Sequence, residues 1–217
     1  MSEKKSAYIF TGGLLTKTIL SNVNLNEGIV IGVDRGGEWL MENQIIADYF
    51  VGDFDSASSF FYSKIKEKYP DKLYLSSTEK DETDTELAMR LAVSQNPKNI
   101  ILFGGIGTRL DHVIANIHTL IYAEENNVPT IMVGSSNRIQ LILPNIKKVV
   151  EKSEFTYTSL LPLTENVEGI KIDGFKYPIQ GKSMRIGSPY GISNELIEKY
   201  GTISIEQGIL LVIESKD

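Results

Sequence analysis

Two acidic segments contain the side chains of this sequence with the clearest capacity for chemistry. The first, Val51-Gly52-Asp53-Phe54-Asp55-Ser56, follows a short apolar run that is typical of a buried strand. Residues i and i+2 of an extended chain point the same way, so the carboxylates of Asp53 and Asp55 can face one spot beyond the strand's end. Ligands of open α/β sheets bind at that edge, and Mg²⁺ takes one or two carboxylates together with substrate phosphates. A plain turn is the alternative, because aspartate bends the chain well.

The second acidic segment, Lys80-Asp81-Glu82-Thr83-Asp84-Thr85-Glu86, leads into a predicted helix over about residues 84–94. Thr83 and Glu86 have capping-box spacing, and an apolar stripe follows them. Acids are favourable at any helix N-terminus, so capping is the competing explanation for Asp81 and Asp84. A cap needs one acid and this segment contains four, which favours a metal or phosphate site.

A glycine-rich turn is the third candidate element, over Gly104-Gly105-Ile106-Gly107-Thr108-Arg109-Leu110-Asp111-His112. Glycine lets a phosphate approach the backbone N–H groups closely, and Arg109 supplies a fixed cationic fork for phosphate oxygens. Asp111 is placed to cap the next helix, to orient Arg109, or to do both. The turn lacks the Gly-Lys-Ser/Thr of a P-loop. His112 and His118 lie six residues apart, so they cannot form a zinc pair on one helix face.

The N-terminal residues 1–135 alternate apolar runs with amphipathic helices, which predicts a three-layer α/β domain with a parallel sheet. Strands are predicted near residues 7–10, 28–33, 47–51, 73–75, 99–103 and 129–133. Helices are predicted near residues 38–41, 58–68, 84–94 and 111–125. In the second helix we expect Phe60, Phe61 and Ile65 to face inward. Several strands end in glycine plus aspartate or arginine, which places polar groups along one sheet edge.

Residues 136–217 have a different pattern, with short strand-like runs, frequent turns and one possible helical turn at Glu195-Leu196-Ile197. This pattern predicts an all-β domain of the sandwich type after a boundary near Ser135. Two segments depart from simple alternation, Gly174-Phe175-Lys176-Tyr177-Pro178 and Gly191-Ile192-Ser193-Asn194-Glu195. They can form either a pocket for a flat heterocycle or a turn with a packing aromatic residue.

Composition narrows the classes of function. A formal net charge of −6 argues against a nucleic-acid partner, which needs a basic surface. The absence of cysteine removes disulfides, thiolate zinc sites and cysteine nucleophiles together. The N-terminal apolar run is too short for a signal sequence or a membrane span, so we expect a cytoplasmic protein with no membrane partner.

Taken in order, these segments resemble the thiamine pyrophosphokinase family. The resemblance covers Val33-Asp34-Arg35-Gly36, the two acidic segments, the glycine turn through His112, Gly174 to Pro178, and Ser193-Asn194-Glu195. It implies an α/β domain followed by a β-sandwich, and a homodimer with sites at the subunit interface. It also implies transfer of a pyrophosphoryl group from ATP to thiamine with Mg²⁺, giving thiamine diphosphate and AMP.

The resemblance implies roles for individual residues. The predicted metal ligands are Asp53, Asp55 and Asp81. The predicted catalytic residues are these three aspartates together with Asp84 and Arg109. The residues assigned to nucleotide binding are Asp34, Arg35, Gly105, Arg109, Asp111 and His112. The thiamine side takes Tyr177, Ser193 and Asn194, with Tyr177 standing where animal relatives have tryptophan.

Three other functions stay open at this point. One is the same transfer to another heterocyclic alcohol, such as a hydroxymethyl pterin. A second is a glycosyltransferase that holds a nucleotide-sugar metal with Asp53 and Asp55. A third is a ligand-binding sensor without catalysis, which release of AMP would exclude.

Overall fold

The protein, described here from a computed structural model, is defined over residues 4–20, 23–76, 81–188 and 190–217. The chain divides into two compact units, Met1–Ser135 and Ser136–Asp217. Among the described residues, every helix is too short or too polar to cross a membrane.

The first unit alternates strands and helices, as its apolar runs predict. Its strands are β1 (Ala7–Phe10), β2 (Ile29–Val33), β3 (Tyr49–Gly52), β4 (Leu73–Leu75), β5 (Ile100–Phe103) and β6 (Thr130–Val133). Its α-helices are α1 (Arg35–Glu42), α2 (Ser59–Lys68), α3 (Asp84–Ser94) and α4 (Leu110–Glu125). Short 3-10 turns cover Lys17–Leu20, Leu25–Glu27 and Pro70–Lys72.

The six strands of this unit form a parallel sheet in the order β4-β3-β2-β1-β5-β6. Parallel strands carry their carboxyl ends to one edge, where open α/β sheets bind ligands. The central strands are apolar on both faces, and Phe10, Phe50 and Phe103 are fully buried in the core. This architecture confirms the predicted α/β class.

Helix α2 corrects one expectation about which side chains face the core. Phe61 and Ile65 are buried, but Phe60 is 75% exposed. Residues four apart lie on one helix face, and Phe60 is turned about 100° away from Phe61. The ammonium of Lys64 instead lies 5.9 Å from the centre of the Phe60 ring.

The second unit is all β. Its strands are β7 (Asn137–Ile142), β8 (Lys147–Glu151), β9 (Tyr157–Pro162), β10 (Asn166–Asp173), β11 (Ile179–Arg185), β12 (Tyr200–Ser204) and β13 (Leu210–Ser215). Strand β13 pairs antiparallel with β7 on one side and β9 on the other. A four-stranded antiparallel sheet has the order β11-β10-β12-β8.

Both sheets of this unit contribute to one apolar core. Ile142, Leu160 and Val212 from the three-stranded arrangement lie in the same cluster as Ile172 and Ile203 from the other sheet. Two sheets that bury their inner faces against each other form a sandwich. The predicted all-β class of the C-terminal part is therefore confirmed.

Two details of this unit differ from the sequence-based expectations. Strand β11 was not predicted, because four of its seven residues in succession are exposed and polar or glycine, so the apolar alternation is lost. The possible helical turn at residues 195–197 is wrong. Leu196 instead bridges Phe175 in antiparallel fashion, and the N–H of Ile197 donates to the carbonyl of Gly174.

Candidate active site

Asp34 lies on a sharp turn between the end of β2 and the start of α1. Its backbone has φ 46° and ψ −119°, which is rare for a residue with a side chain. The turn is tight because α1 begins against β1, where a Cβ on Gly36 would lie 2.1 Å from the carbonyl oxygen of Phe10. The strained turn directs the Asp34 carboxylate toward the end of β3 and away from its own helix.

The first acidic segment meets that carboxylate. Gly52 has φ +144°, and a Cβ on it would lie 1.9 Å from Oδ1 of Asp34, so only glycine leaves room there. The N–H of Phe54 donates to Oδ1 of Asp34 at 3.1 Å. The N–H of Asp55 donates to Oδ1 of Asp53 at 3.0 Å and closes a small turn. The segment is thus fixed at the edge of the sheet by hydrogen bonds from its backbone N–H groups to aspartate side chains.

The second acidic segment reaches the same place through Asp84, the first residue of α3. Thr83 caps this helix by accepting a hydrogen bond from the N–H of Glu86, as the spacing of the two residues predicts. The hydroxyl of Ser76 donates to Oδ1 of Asp84 at 2.7 Å. Ser76 itself follows β4, and its N–H donates to the carbonyl of Gly52.

Asp34, Asp53 and Asp84 form a carboxylate cluster. One oxygen from each lies within 4.8 Å of the others, and all three side chains are half-buried. Burial raises the pKa of Asp34 from 3.8 to about 7, and the negative charge of Asp84 contributes next. The charges of Asp53 and Asp55 also contribute to this raised pKa, and the hydrogen bond from the N–H of Phe54 opposes it. The negative charges of the neighbouring carboxylates therefore disfavour ionisation of Asp34, and a bound cation would relieve this repulsion.

Asp55 and Asp81, the other predicted metal ligands, lie outside this group of three, and both are exposed. Asp55 is close enough to act on the pKa of Asp34. Asp81 lies in the segment that precedes α3, and Lys80 of the same motif falls outside the described residues. Their assignment as metal ligands stays a prediction.

The glycine turn after β5 presents Arg109 to solvent. The guanidinium donates to both oxygens of Asp111, at 2.6 Å to Oδ2 and 3.3 Å to Oδ1, so Asp111 orients the arginine. This bond holds the pKa of the Asp111 carboxyl below its ordinary value. His112 is also exposed, with its Nε2 3.9 Å from Oδ2 of Asp111. Arg35, at the start of α1, is exposed, whereas Gly105 is buried.

Two supporting residues of this edge were missed in the sequence. Asn116 is buried within α4, and its Nδ2 donates to the carbonyl of Gly105 at 2.9 Å, which anchors the glycine turn. An asparagine on the same helix face as Leu120 and Ala123 is the signal that could have identified it. Ser76 gave no such signal, because a serine after a strand is common.

The predicted thiamine-side residues lie in the second unit. Tyr177 is 60% exposed, and Ser193 is exposed with φ +58°. Asn194 is buried, and its side chain makes hydrogen bonds with the backbone of Tyr177. The structure therefore brings Tyr177 and Asn194 together within one unit.

The first unit has the fold and the donor set of an α/β enzyme that handles phosphates with a hard divalent cation. Comparisons with known proteins specify this class further. One family model, thiamin pyrophosphokinase, catalytic domain, matches residues 20–132. A second, thiamin pyrophosphokinase, vitamin B1 binding domain, matches residues 147–210. The chain belongs to the thiamin pyrophosphokinase family.

Individual relatives agree with the family models. The thiamine pyrophosphokinase of Bacillus subtilis (strain 168) is 35% identical over 187 residues, which cover 86% of this chain and 87% of that protein. A crystal structure of the enzyme from Bacillus subtilis has a TM-score of 0.89 at 33% identity, covering 98% of this chain and 100% of that one. The structure from Geobacillus thermodenitrificans gives 0.86 at 34% identity, covering 98% of each chain.

Proposed function

We propose that this protein transfers a pyrophosphoryl group from ATP to the hydroxyl of thiamine, giving thiamine diphosphate and AMP. The observation that carries the proposal is the carboxylate cluster of Asp34, Asp53 and Asp84, which lies inside the segment matched by the catalytic-domain model. The second unit is matched by the vitamin B1 binding domain, which supports thiamine as the acceptor. Nothing in these similarities supports another heterocyclic alcohol such as a hydroxymethyl pterin.

The reaction forms a bond between the thiamine oxygen and the β-phosphorus of ATP. The bond between that phosphorus and the oxygen bridging it to the α-phosphorus breaks, and AMP leaves with that oxygen. The hydroxyl proton passes to a carboxylate, and Asp81 and Asp84 are the candidates for this base. Such transfers depend on positioning and on charge stabilisation more than on covalent help from the protein.

The residues at the sheet edge fit a magnesium ion. Carboxylate oxygens are the hard ligands that Mg²⁺ prefers, and burial, followed by the negative charge of Asp84, raises the pKa of Asp34 to about 7. Asp53 would hold the ion with Asp34 and Asp84 beside it, and Asp55 and Asp81 are the further predicted ligands. When bound, Mg²⁺ neutralises phosphate charge and fixes the triphosphate for in-line attack.

The glycine turn is proposed to bind the nucleotide. Gly105 is buried and its carbonyl is held by Asn116, so it is proposed to shape the turn. The exposed Arg109 is proposed to stabilise the charge that develops on the phosphate oxygens. Asp111 already holds Arg109 in a fixed orientation. Arg35 and His112 are proposed as further nucleotide contacts, because both are exposed beside these elements.

Three further features are proposals that follow from the family resemblance. Tyr177 and Ser193 contact the thiamine heterocycles from the second unit. The protein forms a homodimer with sites at the subunit interface. It acts in the cytoplasm, without nucleic-acid or membrane partners.

An assay of AMP release tests the proposed function directly. Purified protein is incubated with ATP, Mg²⁺ and one alcohol from a panel that includes thiamine, a hydroxymethyl pterin and water alone. We expect AMP and thiamine diphosphate in equal amounts with thiamine, and background AMP with the others. AMP release only with the pterin would show that the pterin is the acceptor. No release with any alcohol would favour a ligand-binding sensor without catalysis.

Variants of the exposed predicted ligands test the metal assignment. Asp55→Ala and Asp81→Ala should each reduce turnover by about 10²- to 10³-fold at saturating Mg²⁺, in the range of losing a transition-state contact. Both residues are exposed, so the folded structure should persist by circular dichroism. Asp71→Ala, at an exposed position of the same unit, is the matched control. Near wild-type turnover in either variant would remove that residue from the metal site.

A further inference from the structure

Both ends of the Asn194 side-chain amide are engaged within the chain. The Oδ1 atom accepts from the N–H of Tyr177 at 3.0 Å and from the N–H of Glu195 at 2.9 Å. The Nδ2 atom donates to the carbonyl of Tyr177 at 2.9 Å. An asparagine amide has two lone pairs on oxygen and two N–H donors, so three of its four hydrogen-bonding positions are filled. The residue is 7% exposed, which leaves little surface for a ligand.

The backbone of Asn194 is fixed on its other side by β9. The N–H of Thr158 donates to the carbonyl of Asn194 at 2.7 Å, and the N–H of Asn194 donates back at 3.0 Å. The preceding residue adds a third bond, from the N–H of Ser193 to Oγ of Ser159 at 3.0 Å. Thr158 is 4% exposed, so this attachment is buried. Asn194 therefore connects a buried strand to the segment that carries Tyr177.

The segment around Tyr177 is held at several further points. Phe175 is 3% exposed and bridges Leu196, and the N–H of Lys176 donates to the carbonyl of Glu195 at 2.9 Å. The Tyr177 ring nevertheless stays 60% exposed. A rigid backbone under an exposed aromatic ring reduces the ordering cost when a flat ligand stacks on it.

We propose that Asn194 is a positioning residue that fixes the backbone of Tyr177, so that the exposed ring is oriented to stack on the pyrimidine ring of thiamine. This inference rests on the proposed function and on Tyr177 as the stacking residue. Asn194 then acts on thiamine through Tyr177 and makes no contact of its own. Its loss weakens thiamine binding and leaves ATP binding unchanged.

The conservative variant Asn194→Asp tests this role. Aspartate keeps the two acceptor bonds but places a carboxylate oxygen against the carbonyl of Tyr177, where Nδ2 donated. We expect the KM for thiamine to rise about tenfold, which corresponds to about 1.4 kcal/mol. The kcat and the KM for ATP should stay within about twofold. Asn145→Asp makes the same change at an exposed turn and should alter neither KM.

A double-mutant cycle separates positioning from direct contact. Tyr177→Ala should raise the KM for thiamine by at least the same factor, and adding Asn194→Asp to it should change this KM less than about twofold. Multiplying effects would show that Asn194 contacts thiamine itself and would overturn the proposal. A parallel loss of kcat, ATP affinity and thermal stability would indicate a general structural role and would also overturn it.

A measurement without turnover keeps this inference distinct from the proposed function. By hydrogen exchange in NMR, the amide hydrogen of Tyr177 should exchange at least tenfold faster in Asn194→Ala than in the wild type. Unchanged exchange in folded Asn194→Ala would overturn the proposal. If Asn194→Ala does not fold, the KM measurements and the double-mutant cycle with Asn194→Asp decide the question. If the wild type releases no AMP with thiamine, the proposed function fails, and hydrogen exchange still reports whether Asn194 fixes Tyr177.

Discussion

Replacing Asp34 by asparagine should stabilise the metal-free protein at neutral pH while removing its activity. Burial and neighbouring carboxylates raise the pKa of Asp34 from 3.8 to about 7, so ionisation of this group opposes folding. Asparagine carries no charge, and its Oδ1 can still accept the hydrogen bond from Phe54. The Nδ2 atom can also donate to a neighbouring carboxylate of the cluster.

The sign and the size of the effect follow from the two pKa values of Asp34. Below pH 3.8 the group is protonated in both states, so the wild type and the variant should have similar stability. Between pH 4 and pH 7 the unfolded chain loses its proton first, and the wild type loses stability as the pH rises. The full difference corresponds to about 4 kcal/mol. Because the side chain is partly solvated, screening should reduce it to about 1–2 kcal/mol above pH 7.

The assay is urea unfolding in EDTA, followed by tryptophan fluorescence from pH 4 to pH 8. Trp39 is the only tryptophan, and it lies on α1 with its ring 5.9 Å from that of Phe10. Its signal therefore reports on the unit that contains Asp34. The quantity compared is the free energy of unfolding of Asp34→Asn minus that of the wild type at each pH.

The difference should be near zero at pH 4, rise with pH and level off above pH 7. Asp71→Asn makes the same chemical change at an exposed position of this unit and should show no such rise. A variant that is less stable than the wild type at pH 8 would refute the reasoning, and so would a difference that does not depend on pH. Saturating Mg²⁺ should then stabilise the wild type more than Asp34→Asn.

Three further predictions concern backbone strain, a partly buried ion pair and the glycine turn. Gly52→Ala should lower the unfolding free energy by about 2 kcal/mol or more, because φ is +144° and a Cβ would lie 1.9 Å from Oδ1 of Asp34. Denaturant titration measures this loss, and unchanged stability would contradict the requirement for glycine. Glu214→Ala should cost about 1.5–3 kcal/mol in the same titration, because it removes the 3%-exposed carboxylate that bonds the partly exposed guanidinium of Arg138. A loss below about 0.5 kcal/mol would mean that solvent compensates Arg138 fully. Asn116→Ala should raise the KM for ATP about tenfold and leave the KM for thiamine unchanged, as expected from loss of one buried hydrogen bond. Steady-state kinetics measure both constants, and an equal rise in both would mean that the substitution does not act through the glycine turn.

Much of the fold could be predicted because its signals are local. Helix α3 begins at Asp84 as predicted, since Thr83 caps it and an apolar stripe follows. The central strands of the first unit are continuous apolar runs, which a parallel sheet buried on both faces requires. Strand β11 lacks such a signal, because its side chains are mostly exposed and its pairing with β10 supplies the structure.

The site was less accessible to sequence reasoning, because its geometry depends on contacts between distant residues. The spacing of Asp53 and Asp55 predicts that their side chains point the same way from an extended strand, but Phe54 between them has φ +61°. The backbone therefore turns between them, and the cluster around Asp53 is completed by Asp34 and Asp84. Their meeting depends on the turn after β2 and on the order of the strands, which no spacing along the chain encodes.

The hydrogen-bonded backbone around Tyr177 has a consequence for how substrate preference can evolve. The hydrogen bonds described for this segment run through main-chain atoms and the Asn194 amide, and none of them uses the Tyr177 ring. The aromatic group is in this sense interchangeable, since tyrosine, tryptophan or phenylalanine can stand on the same support. Under the proposed stacking role of Tyr177, exchange of this one side chain would shift the range of heterocycles that bind while the surrounding backbone structure is retained.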